Sequence, residues 1–214
     1  MRITKWTSTL MMAACACLGA PGLSAEDSGG TRFRWDLFQV VDVTATSFTI
    51  AAGGFNIAAA EFTPQQFVGG DSSTITLTGS GTFGLNPGDD VTGGGTWTTA
   101  KADGTVTGTG TYRVTRLVSF VLGAGSLAGA TGVVDAIGNL ADTRAGIAVL
   151  TVRYSDGDNG IVVVSCNIAG PPAVVEGSTA IKGVVDYADP FFPTNINPDL
   201  LNAYGNTLFH IIRD

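Results

Sequence analysis

Between residues 79 and 112 the chain repeats one short phrase three times: Gly79-Ser80-Gly81-Thr82-Phe83, Gly93-Gly94-Gly95-Thr96-Trp97 and Gly108-Thr109-Gly110-Thr111-Tyr112. The copies recur every 14 to 15 residues, the length of one strand plus one turn. Within a copy the residues alternate. Ile75, Leu77, Gly79, Gly81 and Phe83 fall on one face, and Thr74, Thr76, Thr78, Ser80 and Thr82 on the other. A period of two belongs to a β-strand, whose successive side chains point to opposite sides. Between the second and third copies stands Asp103-Gly104, the favoured pair of a two-residue type I′ hairpin, in which both central residues need positive φ. With that pair as the loop, Trp97 faces Gly110, Tyr112 faces Gly95, and Thr98 faces Thr109. Each ring then covers a bare glycine on its neighbour, a pairing that stabilises strands weakened by glycine.

The rest of the chain carries the same signature. Phe33–Val41, Val43–Ile50, Phe55–Phe62, Ile147–Ser155, Ile161–Asn167, Thr179–Tyr187 and Thr207–Ile212 read as further strands, and a helical turn is placed near Val133–Ile137. Thirty glycines and 14% charged residues also argue against helices, because Gly and β-branched residues are poor helix formers. The expected fold is all-β: a single antiparallel β-barrel of about eight or nine strands, with a two-sheet β-sandwich as the alternative. An apolar final strand predicts pairing with an early one, which protects sheet edges.

Residues 1–25 have the form of an export signal: Arg2 and Lys5, an apolar run from Leu10 to Leu18, and small residues at Ser24-Ala25. The run is shorter than the roughly 20 residues of a membrane-spanning helix. An exported protein, periplasmic or extracellular, follows, with residues 26–214 as one domain. The alternative is a lipid anchor on Cys15, after Met12-Ala13-Ala14. Removing residues 1–25 takes two of the 11 basic residues and no acidic one, leaving 9 against 18 and a formal charge of −9. Such a protein repels phosphate backbones, so no nucleic-acid partner is expected. Cys166 is the single cysteine of the mature chain. Stability must therefore come from the sheet and its core rather than from an internal disulfide.

No catalytic, metal or cofactor motif stands out. Ala124-Gly125-Ser126-Leu127-Ala128 has alanine at both glycine positions of a Gly-x-Ser-x-Gly nucleophile elbow and reads as loop rather than the strand–turn–helix that exposes such a serine. Asp156-Gly157-Asp158-Asn159-Gly160 suggests calcium at first sight, but no bidentate Glu follows at the required distance, so it reads as a hairpin turn. Asn86-Pro87-Gly88-Asp89-Asp90 reads the same way. His210, the single histidine, shares a side with Leu208 and Ile212. It reads first as a half-buried strand residue and second as a ligand contact. Arg113 and Arg116 differ in parity, which predicts one of them inside, paired with a carboxylate such as Asp36, Asp42, Glu61 or Asp186, because a buried charge is costly alone.

The run Gly108-Thr109-Gly110-Thr111-Tyr112-Arg113-Val114-Thr115-Arg116 resembles the Gly-Thr-Gly-x-Phe/Tyr-Arg-x-x-Arg strand of dirigent-type proteins, which share an eight-stranded barrel with allene oxide cyclases. Ser73 to Gly79 is similar to another strand of that family, so the likeness covers residues 73–122. It implies a barrel with an apolar cavity and, in some members, cofactor-free cyclase or coupling chemistry. Of that family's functional positions it carries over only Arg113 and Arg116. Leu117 stands where the family has glycine, and its acidic catalytic positions find no counterpart. Three readings follow: a non-enzymatic barrel holding a small apolar molecule through Trp97, Tyr112, Arg113, Arg116 and His210; a cofactor-free isomerase or cyclase; or a surface protein whose threonine faces meet glycans or proteins.

Overall fold

The computed structural model describes residues 30–62, 73–86, 90–168, 177–188 and 206–213. The expected export signal with Cys15, residues 87–89 and the side chain of Glu61 lie outside the described residues. The strands are β1 (Arg32–Val41), β2 (Phe48–Ala52), β3 (Phe55–Phe62), β4 (Ser73–Thr78), β5 (Ser80–Gly84), β6 (Gly94–Lys101) and β7 (Val106–Leu122), followed by β8 (Val133–Asp135), β9 (Thr143–Arg144), β10 (Gly146–Tyr154), β11 (Asn159–Cys166), β12 (Gly177–Lys182), β13 (Val185–Ala188) and β14 (Asn206–Ile212). The fold is all-β, as expected, with 14 described strands rather than about nine. Breaks at Gly79 and at Gly183-Val184 split two of the expected strands, and β8 and β9 are short additions. Val133–Asp135 is strand, not helical turn; the helical element nearby is a 3₁₀ turn at Leu140–Asp142.

All 14 belong to one hydrogen-bonded sheet, in the order β4-β3-β13-β12-β11-β10-β7-β6-β5-β1-β14-β9. β2 pairs with β1 and, in parallel, with β8; every other ladder is antiparallel. β4 has a partner on both edges, β3 and β6. The terminal strand β14 pairs with β1 along its whole length, Arg32 opposite Ile212 through Phe38 opposite Asn206.

The repeat pairs as the pattern predicts: Trp97 faces Gly110, Tyr112 faces Gly95, and Thr98 faces Thr109. The turn differs. Gly104 N–H donates to the Lys101 carbonyl, Lys101 N–H donates to the Thr105 carbonyl, and Gly104 has φ +83°. This is a three-residue loop with glycine in the left-handed region rather than a two-residue type I′ turn. A bulge between Thr99 and Ala100 on the β6–β7 ladder absorbs the displaced residue, and from Thr99 opposite Gly108 onward the expected register holds.

Rings fill the inner side. Trp97 leans on Gly108 and Gly110, Trp35 on Gly79 and Gly81, and the Tyr112 hydroxyl reaches Gly79. A Cβ at Gly108 would stand 3.0 Å from the Trp97 ring, so the glycine is the space the indole occupies. Phe33, Phe83, Phe120 and Phe209 form one cluster, with centroids 4.7 to 6.2 Å apart. Trp97, Tyr112 and Tyr154 form a second, at 6.0 Å. In β1 and β14, consecutive residues are buried (Trp35 to Leu37 and Thr207 to His210), so these strands are covered on both faces. One side meets the aromatic cluster and the other lies under residues 135–138.

Candidate functional site

Strand alternation sends rings inward and hydroxyls outward. Thr76, Thr98 and Thr109 stand side by side across β4, β6 and β7. Thr96 faces Thr111 in the next row, and its hydroxyl lies 2.7 Å from that of Thr78. Further hydroxyl pairs join Thr98 to Thr109 at 3.3 Å and Thr115 to Thr151 at 2.9 Å. Such cross-strand pairs contribute about 0.2–1 kcal/mol each. On β3, Phe55 and Ile57 extend the two rows opposite Thr78 and Thr76, and both are exposed. The result is a broad outer face of aligned hydroxyls with an apolar edge.

The opposite edge of this face is basic. Arg113 on β7 stands directly opposite Arg153 on β10. Between Thr151 and Val152 the ladder shifts, so that Thr151 faces Arg116 while Val152 faces Val114. Thr115 and Arg116 thus oppose one residue, the two-against-one count of a β-bulge. The bulge resets the parity, and Arg113, Thr115 and Arg116 are all exposed. The expected interior arginine is therefore absent from this strand: both point outward. Neither they nor Arg153 has an ion-pair partner among the described residues. An open groove of about 370 Å³ lies here, lined by Arg113, Arg153, Thr111, Ser155, Gly157 and Tyr154.

At the end of the inner side, Lys182 seals the core. Its ammonium sits 4.3 Å from the Trp97 ring centroid and 5.2 Å from that of Tyr154, and it donates to both Asp156 and Asp158. Burial works against charging Lys182, but the hydrogen bonds from the two carboxylates outweigh it and raise its pKa. Burial likewise opposes ionising Asp156, and the Lys182 hydrogen bond overcomes it, holding that carboxyl below the ordinary range. The acidic turn is thus a hairpin end gripping a lysine. Burial pushes the phenols of Tyr112 and Tyr154 well up. They stay protonated and donate to the carbonyls of Thr78 and Ile181.

The second polar cluster is buried between β1, β14 and β8. His210 Nε2 lies 2.8 Å from Asp135 Oδ2. Asp135 Oδ1 accepts from the N–H groups of Ile137 and Gly138. Arg34, directly across from His210, donates to Asp36 Oδ1 at 2.7 Å and to the Ile137 carbonyl at 3.0 Å. Burial outweighs the Arg34 bridge and holds the Asp36 carboxyl above its ordinary range. Among the described residues, Asp36 Oδ2 and His210 Nδ1 have no hydrogen-bond partner. Gly138 caps the imidazole: a Cβ there would stand 2.6 Å from the ring. Chemically this is a clasp that ties residues 135–138 to the two central strands, with an acid–imidazole pair and, among the described residues, no hydroxyl or thiol nucleophile hydrogen-bonded to it.

The five residues named from the sequence therefore divide three ways. Trp97 and Tyr112 are core, Arg113 and Arg116 share the outer face, and His210 is fully buried rather than half-buried, gripped by Asp135. Asp36 does pair with an arginine, but with Arg34. Arg153, Arg34 and Asp135 escape sequence reading, the last because 75 residues separate it from His210. Among the described residues no group of three or more His, Cys, Asp or Glu side chains is placed to hold a metal ion, and no helix is long and apolar enough to cross a membrane. Comparison with family models, with curated proteins and with solved structures finds no match.

Proposed function

We propose that this is an exported, non-catalytic binding module that works through its outer face and takes a polyhydroxylated partner, a glycan. The observation that carries the reading is the pair of threonine rows across β4, β6 and β7, edged by exposed Phe55 and Ile57. A sugar polymer offers donors and acceptors to match hydroxyls and an apolar ring face to match an exposed phenyl. The packing of the described inner side chains against one another supports this reading over a small apolar ligand held inside. A barrel scaffold is supported by the pairing path: from β3 through β13, β12, β11, β10, β7 and β6 it returns to β4. That ring of eight strands agrees with the dirigent-type resemblance, and β1, β2, β5, β8, β9 and β14 extend it. The outward arginines remove the support that the resemblance lends to an interior cyclase site.

The test is binding of purified residues 26–214 to a panel of soluble polysaccharides by isothermal titration. Replacing Thr96, Thr109 and Thr111 together by valine keeps volume and removes three outward hydroxyls. At least one polysaccharide should bind the parent, and the triple variant should bind it tenfold or more weakly while still unfolding in one cooperative transition. Binding of none, or equal binding by both proteins, overturns the reading.

A further inference from the structure

Arg113 and Arg153 are opposed in register on neighbouring antiparallel strands, which puts their Cβ atoms about 4.5–5.5 Å apart. Like charges so placed repel. The bulge adds Arg116 to the same exposed face. A chain of formal charge −7 with only 11 basic residues has thus gathered three of them in one patch. It has acids close in sequence to spend there, yet Asp156 and Asp158 of the adjoining turn are both committed to Lys182. No described carboxylate pairs with the three arginines. The groove between Arg113 and Arg153 is bordered by the hydroxyl-bearing Thr111 and Ser155, and at about 370 Å³ it matches the smaller of ligand-sized pockets.

We infer that Arg113 and Arg153 form a subsite for a single oxyanion, the carboxylate or sulfate group of an acidic glycan. An oxyanion between two guanidinium groups accepts paired N–H bonds from planar forks built for that geometry. It also removes the repulsion the empty pair carries. Phosphate polymers are disfavoured because the molecule as a whole is strongly acidic, whereas one localised anion meets the patch alone. The inference rests on the glycan reading for the polymer that carries the anion, but not for the anion site itself.

Titration calorimetry separates the two. An oligosaccharide bearing a single uronate and its neutral methyl ester would be compared on the parent, Arg113→Gln and Arg153→Gln, together with an oligosaccharide of the same length bearing a single sulfate. The parent should prefer an anionic ligand over the ester by tenfold or more, the preference should shrink as salt rises, and each variant should abolish it while binding the ester unchanged. Whether uronate or sulfate is preferred identifies the anion. A parent that binds the uronate, the sulfated oligosaccharide and the ester equally, or variants that keep the preference, overturns the subsite. Failure of the ester to bind at all counts against the glycan surface alone, provided free glucuronate or sulfate still shifts the Arg153 amide signal in the parent and not in Arg113→Gln. Absence of that shift as well overturns the subsite too.

Discussion

Replacing Trp97 by alanine tests the packing of the core at its most specific point. The indole is 4% exposed. It meets Tyr154 edge-on at 6.0 Å, donates from Nε1 to the Thr111 carbonyl at 3.2 Å, and lies under the Lys182 ammonium. Truncating a buried Trp or Phe to alanine typically costs about 3–5 kcal/mol, more where the site cannot collapse. Collapse is blocked here, because the residues beneath the ring are Gly108 and Gly110, which have no side chain to move into the space. The expected cost is therefore at the upper end, about 4–5 kcal/mol. For a domain of this size that lowers the melting temperature by roughly 8–20 °C. Urea unfolding followed by far-UV circular dichroism measures the cost, with Trp97→Phe as an intermediate should the alanine variant fail to fold. Thr98→Val, on the outer side of the same strand, serves as control and should fall within about 0.5 kcal/mol of the parent. A Trp97→Ala loss below about 2 kcal/mol, or one no larger than the control's, would refute the idea that rings seated on glycines hold the sheet together.

Three further outcomes follow from the polar groups. The Asp36 pKa is raised above 3.8, so its contribution is complete below that value and is lost as pH rises through the folded pKa. The stability of Asp36→Asn relative to the parent should therefore improve between about pH 4 and pH 7, and a gap moving the other way in urea melts refutes the burial argument. Lys182→Met removes the cation from two carboxylates and two rings, and should cost about 1–2 kcal/mol. That cost should narrow below the carboxylate range, where Asp156 is protonated, and above about pH 10.5, where the raised Lys182 begins to lose its charge; a pH-independent cost counts against the ion pairs. Gly138→Ala forces a methyl against the His210 ring and should cost about 1–3 kcal/mol. It should also displace the imidazole signals in a ¹H–¹⁵N spectrum, and unmoved signals would show that the clasp is looser than described.

Local alternation was enough to read the β class, the faces of β4, β6 and β7, and even the pairing of Trp97 with Gly110. Alternation sets which face a residue takes, and a buried face then fixes register strongly. The turn was misread because Asp103-Gly104 suits both a two-residue and a three-residue loop, and the choice was made by the bulge near Thr99. The expectation of one interior arginine failed for a related reason. Parity counting assumes an unbroken ladder; the bulge at Thr115 inverts it for Arg116 and Leu117, and a second register shift, between Val149 and Leu150, restores it. The clasp gave no local signal. Its members come from β1, β8 and β14, and a polar residue whose partner lies far along the chain looks, in sequence, like an ordinary surface residue.

The division of labour between the two faces explains why binding is assigned to the outside. Cys166 is the single cysteine among the described residues, so no disulfide braces them, and the strands are rich in glycine, which weakens a sheet by entropy and by leaving nothing to pack. The compensation is visible at the first and third copies: Trp35 rests on Gly79 and Gly81 and Trp97 on Gly108 and Gly110, so the inner volume beside these glycines is already occupied, while Gly93, Gly94 and Gly95 lie against the main chain of neighbouring strands. Opening an interior site there would mean withdrawing Trp97, Tyr112 or Tyr154, each of which is buried and hydrogen-bonded to a main-chain carbonyl. The same glycines place threonines on the other face at every second position, where the hydroxyls pair with one another and present one side to solvent. What stabilises the inside thus orders the outside, and the arginines on that face, Arg113 and Arg153 by alternation and Arg116 by the bulge, are the charged groups best placed to use it.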